Sequence, residues 1–209
     1  MYHFFYDILS EKLPAEKGVV LDCCSGSGIY LPLLSPFSKL LIGLDLSYGL
    51  LNESKKIIEV MESSKTYTVQ SEAELIPMKS DFCDLIVMID SFHHVESPEA
   101  VLKELSRVAK KNASFLLIEP NICNPLVFLA HFIPKEERGA IKRNTKNKLV
   151  TMLSPYLKDI QISPINYVAS NKSSLIGKFF SKMTTNIFTG VFKFWPIRLL
   201  ICGQFHKES

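Results

Sequence analysis

Two acidic residues and a pair of glycines stand at the ends of the first two apolar runs of the chain. Asp22 lies near the end of the first run, before a short turn that contains Gly26 and Gly28, and Asp45 ends the second run. Glycine lets the backbone approach a ligand closely, and N–H groups at a helix start can accept a negative charge. The turn therefore suits a phosphate or a carboxylate group. By itself it could also be only a tight connection between a strand and a helix.

The same residues fit a dinucleotide poorly. The dinucleotide fingerprint needs a third small residue where this chain has Leu31, and the lysine of a phosphate-binding loop is absent. Asp22 would repel a phosphate, whereas it suits a ligand with a positively charged amino group. Asp45 is placed to accept hydrogen bonds from a ribose diol. A ligand that combines an amine, a carboxylate and a ribose is better described as S-adenosylmethionine than as NAD.

Short apolar runs alternate with helical patterns along the chain. They predict strands at 19–23, 40–44, 66–69, 84–89 and 114–118, and helices at 2–13, 27–35, 48–62 and 98–110. Further on they predict a helix at 145–157, a strand at 159–168, a helical stripe at 173–195 and a strand at 199–205. This order predicts an α/β fold, a doubly wound, Rossmann-like, seven-stranded and mostly parallel sheet with helices on both faces and an antiparallel last strand.

We expect a single domain over residues 1–209. Residues 1–17 would form an N-terminal helix or lid, 18–120 the cofactor-binding half, and 121–209 the substrate-side half with the last strands.

The composition is that of an ordinary globular protein, with 47% hydrophobic and 22% charged residues. No apolar run reaches the roughly 18–20 residues that a membrane span needs, and the N-terminus lacks the pattern of a signal peptide. We therefore expect a cytoplasmic protein. The five cysteines include no C-x-x-C pair, so neither a metal site nor a disulfide framework is expected.

The ends of the predicted strands carry three motifs, which read VLDCCSGSG, LIGLDLS and VQSEAELIPMKSDFCDLIVMIDSFHHV. Over about residues 18–120 they resemble class I S-adenosylmethionine-dependent methyltransferases, of the broad small-molecule type 11 kind. The resemblance implies that S-adenosylmethionine is the cofactor, with the first motif around its methionine part and the second at its ribose and adenine. The third motif would meet the adenine edge and the methionine end. The implied contact residues are Asp22, Cys24, Gly26 and Gly28 in the first motif, Asp45 and Leu46 in the second, and Glu72, Ala73 and Asp90 in the third.

The chain departs from the family pattern at two positions. Cys24 stands where the family usually has glycine, a position that can require a positive φ, and Glu72 stands where the family usually has aspartate. Both changes are compatible with cofactor binding. They leave an alternative function open, that of a non-catalytic cofactor-binding or regulatory protein with the same fold.

His93 and His94 follow the fourth predicted strand, near the place where an acceptor would meet the methyl group. Histidine titrates near neutral pH, so either residue could act as a general base in catalysis. The alternative is that the two histidines only shape the loop. The stretch NPLVFLAHFIPKEERG is similar to family members that act on glycans or lipid-linked substrates. The expected acceptor is therefore a small molecule or a lipid-linked or glycan-linked compound.

The two halves of the chain differ in charge. Residues 1–120 contain 11 basic and 17 acidic side chains, whereas residues 121–209 contain 13 basic and 4 acidic ones. Aromatic residues alternate with lysines over 172–198, which is typical of a segment that contacts an anionic membrane surface. A helix packed on the sheet with its lysines in water is the alternative. No nucleic-acid-binding motif is present, so a nucleic acid is not an expected partner.

Overall fold

The computed structural model describes residues 2–13, 17–132, 144–165 and 196–207. Within them, seven strands form one sheet in the order β3-β2-β1-β4-β5-β7-β6. The strands are β1 (Lys17–Cys23), β2 (Ser38–Asp45), β3 (Thr66–Gln70), β4 (Cys83–Ile89), β5 (Ala109–Pro120), β6 (Leu157–Ile165) and β7 (Arg198–Phe205). The α-helices are α1 (Tyr2–Lys12), α2 (Leu31–Leu34), α3 (Tyr48–Val60), α4 (Pro98–Val108), α5 (Pro125–Phe132) and α6 (Lys146–Leu153).

Strands β1 to β5 run parallel, and β7 is antiparallel to both of its neighbours, β5 and β6. The chain builds the sheet outward from β1 to β3 on one side and then returns to continue with β4 on the other. The strand order therefore reverses between β1 and β4, where sheets of this kind bind ligands. The predicted α/β class, the seven strands, the mostly parallel sheet and the antiparallel last strand are confirmed.

Helices cover both faces of the sheet, as the sequence predicts. Side chains alternate along a strand, so β1 directs Val20 to one face and Leu21 to the other. The first face packs against Phe5 and Leu9 of α1 and against α2. The second face packs against α4, whose Leu105 is fully buried, and against α6. Burial of both faces explains why the strands are continuous apolar runs rather than alternating ones.

The helix predicted at 27–35 begins only at Leu31. The residues before it form turns, because Gly28 has a φ of 77°, which a right-handed helix cannot contain. The other predicted helices within the described residues also end earlier than expected, those at 2–13 and 48–62 at Lys12 and Val60. The one at 98–110 ends at Val108, where the chain enters β5, and the one at 145–157 ends four residues before its predicted end, at Leu153.

The sequence patterns above do not predict α5. Pro125 reads as a helix break, but proline is well tolerated in the first turn of a helix. Asn124 supplies the cap, since its Oδ1 accepts hydrogen bonds from the N–H groups of Leu126 and Val127 at 2.9 and 3.2 Å. The Asn-Pro pair was thus a start signal for a helix.

The helical stripe predicted at 173–195 lies outside the described residues, as does the end of the strand predicted at 159–168. None of the helices in the described part of the chain is both long enough and apolar enough to cross a membrane.

Candidate functional site

The loops that follow the five parallel strands meet at one edge of the sheet, which we call the carboxyl edge. It comprises residues 22–30, 45–47, 70–78, 90–97 and 119–124. All of the predicted site residues lie on this edge because each follows or ends one of these strands. Their contacts show what the edge can bind.

The turn after β1 contains three residues with a left-handed backbone. Cys24, Gly26 and Gly28 have φ values of 60°, 55° and 77°. Cys24 therefore occupies a conformation that glycine adopts more easily, the property expected of this position. A Cβ atom at Gly28 would lie 2.1 Å from Ser54 Oγ, whereas one at Gly26 would meet no described atom within 4 Å. Gly28 allows α3 to pack closely, and Gly26 borders open space.

Asp22 lies beneath this turn and is 1% exposed. Its Oδ2 atom has no hydrogen-bond partner among the described residues. Burial, and after it the charge of Asp45, raises the pKa of Asp22 to about 7. A buried carboxyl group without a partner is unfavourable unless a ligand brings a donor or a positive charge.

Asp45 joins the glycine turn to the start of α3. Its Oδ2 accepts a hydrogen bond from the Gly26 N–H at 2.8 Å, and its Oδ1 accepts one from the Ser47 N–H at 2.9 Å. Each carboxylate oxygen can accept a second hydrogen bond, so Asp45 keeps capacity for a ligand. Leu46, the next residue, is 62% exposed.

The loop after β3 places Glu72 on the surface, whereas Ala73 is buried. Arg107 of α4 clamps the continuation of this loop, since its guanidinium donates hydrogen bonds to the carbonyl oxygens of Ile76 and Met78 at 2.9 and 2.8 Å. The Glu72-Ala73 pair is thus attached to a segment held by a helix of the second face.

Asp90, at the end of β4, has a φ of 50° and is half-buried. Both of its oxygens accept hydrogen bonds from Arg198, whose Nε and Nη2 atoms lie 2.9 Å away. Asp90 therefore reaches the carboxyl edge, but its carboxylate is engaged in an ion pair with the start of β7. This ion pair cannot be predicted from local sequence patterns, because the two residues are 108 positions apart.

The two predicted histidines lie together in a turn of 3₁₀ helix (Phe92–His94) but differ in exposure. His93 is 3% exposed, whereas His94 lies on the surface, and their ring centroids are 3.9 Å apart. The Nδ1 atom of His93 lies 2.7 Å from Oε2 of Glu119. The ring of His131 in α5 approaches His93 edge-on, with 6.0 Å between centroids.

Glu119 is a candidate functional residue that the motif analysis misses. It is fully buried at the end of β5, and its Oε1 accepts hydrogen bonds from the N–H groups of Ser91 and Phe92 at 2.9 and 2.7 Å. Its Oε2 accepts from the side-chain amide of Asn144 and shares a hydrogen bond with Nδ1 of His93. A single acid inside the apolar run FLLIEP was the available signal, since a buried glutamate needs several partners.

Several buried polar side-chain atoms on or next to the carboxyl edge have no partner in the described part of the chain; of the residues next to it, Ser54 lies against Gly28 and Asn144 against Glu119. Among the described residues these atoms belong to Asp22, Ser25, Ser54, Ser91 and Asn144. Because buried polar groups are normally hydrogen-bonded, such a cluster indicates a place where a polar ligand binds. The part of the chain that the structure describes contains no group of three or more His, Cys, Asp or Glu side chains that could hold a metal ion.

Comparison with known proteins assigns the family. Residues 21–117 match the family model described as a methyltransferase domain. These residues form a class I S-adenosylmethionine-dependent methyltransferase domain. The matched stretch runs from β1 to β5 and includes every predicted site residue, so the resemblance of the three motifs is confirmed.

The chain is similar in sequence to the uncharacterized methyltransferase YcgJ of Bacillus subtilis. The two are 26% identical over 100 residues, which are 48% of this chain and 40% of that protein. The alignment therefore spans less than half the length of the curated relative.

Solved structures share the fold over nearly the whole chain. The structure of YcgJ from Bacillus subtilis superposes with a TM-score of 0.73 at 16% identity, over 99% of this chain and 100% of that one. A putative methyltransferase from Bacillus halodurans gives a TM-score of 0.69 at 18% identity, over 97% and 99% of the two chains. A S-adenosylmethionine-dependent methyltransferase from Aquifex aeolicus gives 0.65 at 18% identity, over 95% and 88%. At these identities the likeness concerns the fold.

Proposed function

We propose that this chain transfers a methyl group from S-adenosylmethionine to a small-molecule, lipid-linked or glycan-linked acceptor. The observation that carries the proposal is the buried carboxyl group of Asp22, whose Oδ2 has no partner among the described residues. This carboxyl group lies near the end of β1 beside Asp45, beneath the turn that opens at Gly26. Two acids at this edge favour a ligand with a positive group and repel a phosphate.

The residues of the carboxyl edge fit S-adenosylmethionine part by part. Asp22 would accept from the amino group, and the left-handed turn at Cys24, Gly26 and Gly28 would surround the methionine part. Asp45 would accept from the ribose diol with the lone pairs that its backbone partners leave. Leu46 would flank the adenine, and the loop with Glu72 and Ala73 would meet the adenine edge.

When bound, S-adenosylmethionine supplies a methyl group activated by a sulfonium leaving group. The protein must bind and orient the acceptor and exclude water. An acceptor that keeps its proton also needs a base, and His93 and His94 are the candidates on this edge. Asp90 acts in this account through its ion pair with Arg198, which fixes the end of β4 beside them.

Helix α5 supports an acceptor with an apolar portion. Leu126, Phe128 and Leu129 are 51%, 43% and 54% exposed, although all three are large apolar residues. The same helix brings His131 against His93. An exposed apolar surface on the helix that contacts His93 favours a lipid-linked acceptor over a fully polar one. Contact with an anionic membrane surface through residues 172–198 would serve the same acceptor; most of that segment lies outside the described residues.

Transfer of label tests the proposed function. The full chain is incubated with S-adenosylmethionine that carries a labelled methyl group, together with either a lipid extract or a small-molecule extract of its source cells. We expect label in an extracted product, and a loss of about tenfold or more in Asp22→Asn, because hydrogen bonds to charged groups contribute about 1.5–3 kcal/mol.

Asp84→Asn is the matched control. Asp84 is a half-buried carboxylate that also accepts from a backbone N–H, that of Val19 at 2.7 Å, but it lies at the opposite end of the sheet. It should retain transfer. Binding of S-adenosylmethionine without transfer to any extract would instead favour the non-catalytic alternative.

A further inference from the structure

Glu119 is held by four hydrogen bonds that use both of its oxygens. The side chain is 0% exposed. Oε1 accepts from two backbone N–H groups, and Oε2 accepts from the Asn144 amide and lies 2.7 Å from Nδ1 of the His93 imidazole. Two carboxylate oxygens offer about four lone-pair sites, so these partners fill the group.

The partners of Glu119 locate the proton of His93. The two backbone N–H groups can only donate, and the Asn144 amide donates through Nδ2. A carboxylate surrounded by donors is the acceptor in its remaining contact, so the hydrogen between Glu119 and His93 belongs to the imidazole Nδ1. The Nε2 atom of neutral His93 then carries a lone pair that can take up a proton.

A purely structural cap would not need this arrangement. One oxygen would satisfy the Ser91 and Phe92 N–H groups that begin the 3₁₀ turn. The second oxygen instead lies against an imidazole ring, whose centroid is 3.9 Å from that of a surface histidine, His94, with the two rings tilted by 42°. A buried carboxylate in contact with a ring nitrogen orients the ring and stabilises its protonated form.

We infer that Glu119 is a positioning residue for methyl transfer, which holds His93 with its proton on Nδ1 and fixes the turn that carries His94. The inference rests on the proposed function. A hydroxyl acceptor would form its new oxygen–carbon bond as the carbon–sulfur bond of S-adenosylmethionine breaks, with the electron pair of that bond left on the sulfur of the neutral thioether product. The acceptor oxygen would give up its proton in the same step. An imidazole nitrogen of the histidine pair receives that proton, and the negative charge of Glu119 stabilises the imidazolium. A neutral amine acceptor attacks with its lone pair and needs no such base for the attack.

Asn144 connects this arrangement to the substrate-side half of the chain. It donates from its side chain to Glu119 and accepts through its backbone oxygen from the Ile122 N–H at 3.1 Å. Asn144 is itself fully buried just before α6. The orientation of His93 is thereby tied to the residues that begin α6.

The first test is the protonation pattern of the histidine rings. Nitrogen NMR of the full chain with labelled histidine, assigned with His93→Gln, should show His93 protonated on Nδ1. In Glu119→Gln this pattern should be lost, because an amide has one oxygen and cannot replace both carboxylate oxygens. With that oxygen on the two backbone N–H groups, its NH2 group would donate to Nδ1 of His93. Glu104→Gln is the matched control, since Glu104 also accepts from a backbone N–H, that of Ile76 at 3.0 Å, away from the histidines. Protonation on Nε2 in the unchanged protein would overturn the inference.

The second test separates positioning from a structural role. With labelled S-adenosylmethionine and the extract that accepts label in the transfer assay, Glu119→Gln should lower the transfer rate by about 10²-fold near neutral pH, the scale of general base catalysis. The KM for S-adenosylmethionine should not change. The deficit should shrink as pH rises, because a hydroxyl that ionises in solution no longer needs a base. A deficit of equal size at every pH would show a structural role and overturn the inference.

Two outcomes need a further experiment, namely a Glu119→Gln variant that does not fold and an unchanged protein that transfers no label. If Glu119→Gln does not fold, Asn144→Ala replaces it. Loss of one donor to Oε2 should strengthen the His93 contact and move its Nδ1–H proton signal downfield, and an unmoved signal would count against the inference. If the unchanged protein transfers no label, the proposed function fails whatever the histidine spectra show, so the two failures are distinguishable.

Discussion

At the scale of single residues, the buried carboxyl group of Asp22 is the main electrostatic feature of the site. Its carboxyl group is buried beside Asp45, and these two effects raise its pKa to about 7. Its unpaired Oδ2 is the feature that a positively charged ligand would satisfy. The charge state of one side chain should therefore control cofactor binding near neutral pH.

We expect affinity for S-adenosylmethionine to rise with pH through about 7. The cationic amino group binds the ionised form of Asp22, whose population grows about tenfold between roughly pH 6 and pH 8 for a pKa near 7. Calorimetry across this range, in buffers of different ionisation enthalpy, should show proton release at low pH. Asp22→Asn should bind weakly at every pH; a variant with the same pH dependence as the unchanged protein would contradict the role of Asp22.

The same residue sets a stability prediction with a defined sign. A carboxyl whose pKa is raised in the folded state stabilises the fold at low pH, and this contribution is lost as pH rises through about 7. Asp22→Asn should therefore melt higher than the unchanged protein at pH 8, with the difference narrowing toward pH 5. If Asp22→Asn and the unchanged protein melt at the same temperature at pH 8 and at pH 5, the burial of Asp22 without a partner for its Oδ2 is contradicted.

Cys24→Gly tests whether the thiol has a role. Cys24 has a φ of 60°, a conformation that costs a residue with a Cβ about 1–2 kcal/mol. Glycine removes this strain but loses about 0.5–1 kcal/mol through the entropy of the unfolded chain. Cofactor affinity should be retained or improved, and the free energy of unfolding should change by no more than about 1 kcal/mol. A large loss of affinity would show that the sulfur contacts a ligand.

At the scale of elements, the turn after β1 separates packing from binding. Gly28 lies against Ser54 of α3, whereas Gly26 faces open space, although both have a positive φ. The two glycines therefore provide a matched pair of substitutions in one turn.

Gly28→Ala should lower the free energy of unfolding strongly, because its Cβ would overlap Ser54 Oγ at 2.1 Å. Gly26→Ala should cost only the backbone strain of about 1–2 kcal/mol, but it should weaken cofactor binding, since the added methyl group points into the open space. Chemical denaturation and calorimetry of both variants measure these two effects. The reverse order of stability, with Gly26→Ala the less stable protein, would contradict the packing of Gly28 against α3. Unchanged cofactor affinity in Gly26→Ala would contradict the placement of the ligand.

The elements also show where sequence reasoning succeeds and where it fails. Apolar runs such as 40–44 predict the buried parallel strands because both faces of these strands are covered. Acids such as Asp45 that end such runs are then predicted to lie at the carboxyl edge. Helix α5 is missed because its start depends on an Asn124 cap that outweighs the break signal of Pro125. The partners of Glu119 cannot be predicted locally, since Asn144 lies 25 residues away and becomes a neighbour only in the folded sheet.

At the scale of the whole molecule, an ion pair at the carboxyl edge joins the last strand, β7, to the parallel strand β4. Arg198 begins β7 and pairs with Asp90 at the end of β4, and the two side chains are 25% and 27% exposed. The pair spans β5, which separates these strands in the sheet. It couples the start of β7 to the end of β4 at the carboxyl edge.

Arg198→Met should lower the free energy of unfolding by about 2 kcal/mol, the scale of hydrogen bonds to a charged group. Lys56→Met provides the control, because its pair with Glu53 lies within α3 on the surface and should contribute about 0.5 kcal/mol or less. Denaturant titration of both variants compares them. Equal losses would show that the Asp90 pair contributes no more than a surface ion pair.

The central claim is that the carboxyl edge binds S-adenosylmethionine through Asp45, and calorimetric titration tests it most directly. The full chain is titrated with S-adenosylmethionine and with its demethylated product, alongside Asp45→Ala and the control Asp84→Asn from the opposite end of the sheet. We predict micromolar binding of both ligands, about 10²-fold weaker binding in Asp45→Ala through loss of the ribose contacts, and unchanged binding in the control. Absence of binding by the folded, unchanged protein would contradict the account.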